Sequence, residues 1–208
     1  MDVFKEALRY LGYGRSEADE EVNKKLYECY DALKKIIMPK SVIYECDAEM
    51  KNGVIKTGGI AIKSRNLSKN LAGCKRVIFM AATLGQGVDM LLRRFSKTDM
   101  PMAVIADALA TAMIERYCDE ICEDLKQKGY NLRPRFSPGY GDFDISHQKD
   151  FMNILDCHKK IGLTVTEGLM LVPSKSVTAI MGISDKDDRC IISGCEMCKK
   201  TDCPYRRD

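Results

Sequence analysis

The chain is most informative at Arg135-Phe136-Ser137-Pro138-Gly139-Tyr140. Pro138 fixes its own φ and Gly139 can adopt a positive φ, so the backbone can turn sharply between them. Arg135 offers a planar guanidinium that suits a carboxylate, and Tyr140 offers a ring and a hydroxyl. A zwitterionic ligand that also carries an aromatic ring would use all of these groups. The alternative is an ordinary surface turn with a solvated arginine.

Hydrophobic periodicity on both sides of this segment predicts helices and strands. Met100-Pro101 opens the longest predicted helix, which has a broad apolar surface and is closed by Gly129. Before it, residues 76–82 predict a buried strand and Asn52-Gly53 predicts a hairpin turn. After it, residues 148–160 predict another helix.

The two ends of the sequence complete this pattern. Residues 3–11 predict a short helix, and Ser16 is the candidate cap of the next one. Residues 163–181 are apolar and β-branched, which predicts two strands around Pro173. Helices at both ends of a set of short strands favour an α+β fold over a regular βαβ array.

Composition excludes several classes of protein. The chain has 33 basic and 30 acidic residues, a balance that gives no argument for nucleic acid or membrane partners. Its longest apolar runs, such as residues 77–82, are too short to span a bilayer. The N-terminal residues carry acids and no long apolar core, so we expect no signal peptide and a cytoplasmic location.

The order of motifs after the Pro-Gly turn is more specific than the turn itself. His147 and a predicted helix follow it, and then come Gly162-Leu163-x-x-Thr166-Glu167 and a segment containing Met170, Pro173, Ser176 and Val177. This series resembles the C-terminal activation domain of cobalamin-dependent methionine synthase. The resemblance is strongest over residues 103–184.

The resemblance implies one C-shaped α+β domain over residues 1–188, with a twisted antiparallel sheet flanked by helices. It also implies a shallow groove for S-adenosylmethionine. By matching position, Arg135 would pair with the methionine carboxylate of that ligand. The backbone of Ser137 and Gly139, and the Tyr140 side chain, would line the same groove.

The sequence departs from the family on its long helix. The family has a carboxylate there that holds the amino group of the ligand, and the matching position is Thr111. Asp107 and Glu115 lie one turn away on either side, on the same stripe of the helix. We assign the role to Glu115, with two solvated acids as the alternative.

The resemblance further implies a function, the reductive methylation that returns stalled cob(II)alamin to activity. The sequence has no Asp-x-His-x-x-Gly motif for cobalamin, so the expected partner is a cobalamin-binding methyltransferase chain, by default methionine synthase. An electron donor such as flavodoxin or ferredoxin is also expected. Cob(I)alamin is itself the nucleophile, so no residue is assigned a catalytic role. A binding module that docks to a corrinoid protein without S-adenosylmethionine is a competing interpretation.

A cysteine-rich tail over residues 189–208 has no counterpart in that domain. Its thiols have spacing suited to zinc or an iron–sulfur cluster, and the candidate ligands are Cys190, Cys195, Cys198 and Cys203. Free thiols or a redox Cys-x-x-Cys pair are the alternatives. With a bound metal the protein could instead be an electron-transfer accessory of a corrinoid enzyme. The six other cysteines are interpreted as small buried hydrophobic residues.

Overall fold

A computed structural model describes residues 2–14 and 16–184. The strands are β1 Lys40–Lys51, β2 Val54–Thr57, β3 Ile60–Lys63, β4 Arg76–Thr83, β5 Thr164–Val165, β6 Leu171–Val172 and β7 Ser176–Ile183. The helices are α1 Val3–Tyr10, α2 Glu20–Lys34, α3 Arg65–Asn70, α4 Gln86–Thr98, α5 Met100–Gln127, α6 Gln148–Leu155 and α7 Cys157–Ile161, with a 3-10 turn at Ile145–His147.

The apolar strand β4 lies inside an antiparallel sheet of five strands in the order β3-β2-β1-β4-β7. It pairs with β1 on one side, from Arg76↔Asp47 to Thr83↔Lys40, and with β7 on the other. Seven of its eight residues are buried, because helices cover both faces of the sheet at this point. Strands β5 and β6 form a separate two-stranded hairpin.

Two hydrophobic cores lie on opposite faces of the sheet, as the alternation of side chains along a strand requires. Ile78 and Met80 of β4 face α1, α2, α4 and α5, whereas Val77 and Phe79 face α3, α6 and α7. Helix α5 packs on the first face with a buried surface that is rich in alanine, at Ala103, Ala106, Ala108, Ala110 and Ala112. The functional residues described below lie where α5 meets the outer edge of β7.

The α+β prediction, with an antiparallel sheet flanked by helices, is confirmed. The predicted cap at Ser16 is wrong, since Asp19 caps α2 by accepting a hydrogen bond from the Val22 N–H at 2.8 Å. The single helix predicted over 148–160 is divided, because Asp156 adopts a left-handed φ of 50° between α6 and α7. Among the described residues, no helix combines the length and apolarity needed to cross a membrane.

Candidate functional site

The segment that carries Arg135 is held along the outer edge of β7 by backbone hydrogen bonds. Phe136 and Ile180 exchange two of them, at 2.9 and 3.0 Å, and the Arg133 N–H donates to the Gly182 carbonyl at 2.8 Å. Neighbouring residues of an extended segment point to opposite faces. Phe136 therefore packs into the core beside α6, while the Arg135 side chain reaches α5.

The predicted sharp turn is present after this segment. Gly139 has a φ of 92°, and its N–H donates to the Phe143 carbonyl at 2.7 Å. The Tyr140 N–H donates to the Ser137 carbonyl at 3.1 Å, which closes the turn. The Tyr140 side chain stays exposed, at 66% of its full surface, so its ring is available to a ligand.

Asp142 fixes the far side of the turn to the start of α3. Its carboxylate accepts hydrogen bonds from the Ser64 hydroxyl at 2.5 Å and from the N–H groups of Arg65 and Asn66 at 2.8 and 3.1 Å. The hydroxyl hydrogen bond, followed by the backbone ones, holds the pKa of Asp142 below its ordinary value of 3.8.

This anchor predicts a pH-dependent contribution to stability. A carboxyl group whose pKa is lowered by folding stabilises the native state above its unfolded pKa, and the contribution is lost as pH falls through the folded pKa. We expect Asp142→Asn to unfold at lower urea concentration than the native chain at about pH 6, with the difference shrinking by about pH 2.5. Urea titrations at the two pH values measure this, and a difference that does not change with pH would contradict it.

Arg135 lies between two carboxylates of α5. Its Nη2 is 2.9 Å from Glu115 Oε2 and its Nη1 is 2.9 Å from Asp119 Oδ1. The guanidinium side chain is 20% exposed, against 30% for Glu115 and 50% for Asp119. Nη1 also lies 3.7 Å from the Cys122 sulfur. Two acids and one arginine give the cluster a formal charge of −1.

The nearby thiols add no charge to this cluster at neutral pH. Burial raises the pKa of Cys118 to about 12 and also raises the pKa of Cys122. Both side chains therefore remain protonated, and the field around Arg135 is set by the carboxylates. An arginine between acids on a partly exposed surface can bind the carboxylate of a zwitterion while an acid binds its ammonium group.

A second ion pair involves Asp107, which lies two turns before Glu115 on the same stripe of α5. Lys175 Nζ is 2.7 Å from Asp107 Oδ1 and donates to the Thr111 hydroxyl at 2.9 Å. Asp107 is therefore paired with Lys175, whereas Glu115 is paired with Arg135. Of the two acids beside Thr111, Glu115 is the one next to the predicted carboxylate-binding arginine.

A groove of about 490 Å³ adjoins this stripe between α1, α4 and α5, and its lining includes Tyr10, Leu92, Val104, Asp107 and Thr111. Its size is within the range of small-molecule pockets, roughly 300–1,000 Å³. Tyr140 does not line this groove, and a ligand groove beside Tyr140 stays a prediction.

The structure thus brings Arg135 and Glu115 together, and Ser137, Gly139 and Tyr140 lie in the adjoining turn. That these five residues bind a ligand stays a prediction. Sequence reasoning missed Asp119, although its spacing of four residues from Glu115 places it on the same helical stripe. It also missed Lys175, the partner of Asp107, because Lys175 is distant along the chain.

The predicted metal ligands Cys190, Cys195, Cys198 and Cys203 lie outside the described residues. Within the part of the chain that is described, no group of three or more histidine, cysteine or acidic side chains is arranged to hold a metal ion. Six cysteines there are free thiols, of which Cys29, Cys74, Cys118 and Cys157 are buried and Cys46 and Cys122 partly so.

Comparison with known proteins gives a family match and similar solved structures. A family model described as "Vitamin B12 dependent methionine synthase, activation domain" matches residues 67–189, more than half of the chain. A solved structure, "Crystal Structure of the MetH Reactivation Domain bound to AdoHcy", superposes with a TM-score of 0.61 at 17% identity, over 80% of this chain and 66% of that one. At this identity the second match concerns the fold, and this chain spans just under two thirds of that domain. No curated protein sequence matches.

Proposed function

Because the chain belongs to the family of activation domains of vitamin B12-dependent methionine synthases, we propose that it binds S-adenosylmethionine and supports the reductive reactivation of cob(II)alamin. The cobalamin is carried by a corrinoid methyltransferase partner, by default methionine synthase. A flavodoxin or ferredoxin supplies the electron, and the reaction takes place in the cytoplasm. The solved relative is bound to AdoHcy, which supports a ligand of this class for this chain.

The observation that carries the proposal is the position of Arg135 between Glu115 and Asp119. The donor set fits the amino-acid end of S-adenosylmethionine, because a guanidinium suits its carboxylate and an acid suits its ammonium group. The exposed Tyr140 ring and the Pro-Gly turn beside it supply a surface for the adenosyl end.

The side chains of this protein have a positioning role in the proposal. Bound S-adenosylmethionine supplies the methyl group that reduced cobalt accepts. Arg135 and Glu115 hold its two charged ends, and the backbone hydrogen bonds to β7 keep Arg135 in place. Fixing a reactant in this way contributes through proximity and alignment. No proton has to be moved by a side chain, so none is assigned a catalytic role.

Calorimetry with S-adenosylmethionine tests the proposal. We expect the native protein to bind it, and Glu115→Gln to bind it roughly tenfold more weakly, because glutamine can still accept a hydrogen bond from the ammonium group but lacks the negative charge that strengthens it. Glu120→Gln is the matched control, since Glu120 lies on the same helix and pairs with Arg116 at 2.9 Å. We expect this control to bind like the native protein.

Absence of binding by the native protein would overturn the proposal. It would favour the competing interpretation, a module that docks to a corrinoid protein without S-adenosylmethionine. A native affinity that Glu115→Gln leaves unchanged would instead remove only the role of Glu115.

A further inference from the structure

We infer that Asp119 competes with the ligand carboxylate for Arg135, so that this acid lowers the affinity of the site and is displaced when the amino-acid end binds. The inference rests on the proposed function. It concerns a residue that sequence reasoning did not single out, and it assigns opposite effects to two acids that contact the same guanidinium.

Both terminal nitrogens of Arg135 are engaged in this structure. Glu115 contacts Nη2 and Asp119 contacts Nη1, each at 2.9 Å. A carboxylate binds a guanidinium most strongly through two parallel hydrogen bonds. Nη1 is contacted by Asp119 and also lies 3.7 Å from the Cys122 sulfur, so a parallel pair of hydrogen bonds that uses Nη1 forms only when Asp119 leaves this nitrogen.

Asp119 is the acid that leaves at lower cost. It is 50% exposed, against 30% for Glu115, so its carboxylate is already partly hydrated. An ion pair with an exposed partner contributes little, because water and salt screen it. Glu115, which is more enclosed and lies closer along the helix to Thr111, remains to accept the ammonium group of the ligand.

The charge of the cluster leads to the same assignment. Two acids and one arginine leave an excess of one negative charge, which opposes an approaching carboxylate. A zwitterion replaces Asp119 on the arginine and neutralises Glu115 with its ammonium group. A nucleoside that lacks the amino-acid end gains nothing from this exchange, so the competition acts only on ligands that carry a carboxylate.

Calorimetry on Asp119→Asn tests the inference with three probes, S-adenosylmethionine, S-adenosylhomocysteine and 5′-methylthioadenosine. We expect the variant to bind the first two roughly two- to fivefold more tightly than the native protein. We expect S-adenosylhomocysteine to gain more, because it has no sulfonium charge for the lost acid to attract. Affinity for 5′-methylthioadenosine, which has no amino-acid end, should be unchanged.

Glu120→Gln again serves as the control, because it removes the same charge from an ion pair on α5 that does not involve Arg135. If the native protein binds S-adenosylmethionine and Asp119→Asn binds it equally or more weakly, the inference is overturned while the proposed function stands. An equal gain for 5′-methylthioadenosine would also overturn it, because the effect would then not involve the carboxylate. If neither protein binds any probe, the proposed function itself fails.

Discussion

Arg135→Ala is expected to weaken the binding of S-adenosylmethionine roughly 10- to 100-fold, as the loss of a charge-assisted hydrogen-bond pair implies. The variant removes the only cation in contact with Glu115 and Asp119 among the described ion pairs. Two acids one helical turn apart then face the ligand carboxylate without compensation. Calorimetry measures the loss, and 5′-methylthioadenosine should bind as before.

A second variant separates charge from geometry at this position, and a variant elsewhere, on α5, is its control. Arg135→Lys keeps the positive charge but loses the planar fork, so its affinity should fall between those of the native and alanine proteins. Arg116→Ala removes an arginine from α5 whose partner among the described ion pairs is Glu120, and it should bind like the native protein. Native-like binding by Arg135→Ala would contradict the whole assignment of the site.

Phe79→Ala is expected to lower the free energy of unfolding by roughly 3–5 kcal/mol. Phe79 lies in the middle of β4, is fully buried and contacts Phe151 edge-to-face with ring centroids 4.9 Å apart. Its neighbours belong to strands and helices that are fixed by the sheet, so they cannot collapse to fill the cavity. Urea unfolding measures the change.

Tyr27→Ala is the matched surface variant for this prediction. Tyr27 is 62% exposed, and its ring contacts Phe4 at a centroid distance of 4.9 Å at the edge of the other core. Its removal should cost about 1 kcal/mol or less. A cost for Phe79→Ala no larger than this would show that the core beside α6 repacks around the missing ring.

Sequence patterns predicted the parts of the fold that depend on local chemistry. The hairpin at Asn52-Gly53 forms with a positive φ at both residues, which suits a two-residue turn. Helix α5 begins at Met100, because Asp99 caps it and Pro101 follows. The break at Asp156 was missed, because one left-handed residue at a polar position leaves the hydrophobic periodicity of a helix unchanged.

The sequence predicted the arginine of the candidate site but only some of its acidic residues. The resemblance indicated Arg135, and helical spacing indicated Asp107 and Glu115 as alternatives. In the structure Glu115 lies beside Arg135, whereas Asp107 pairs with Lys175, a residue distant in sequence. Contacts of this kind are made by the tertiary fold, and no local pattern encodes them.

The pairing of residues 131–136 with β7 places a constraint on how this protein can change during evolution. Arg135 and Phe136 point to opposite sides of the sheet edge, so one inserted or deleted residue before them would exchange their sides. The guanidinium would then enter a pocket of aromatic rings, and a phenyl ring would meet the acids of α5. Apolar substitutions at Phe136 are therefore tolerable, whereas a one-residue change in the length of the segment is not.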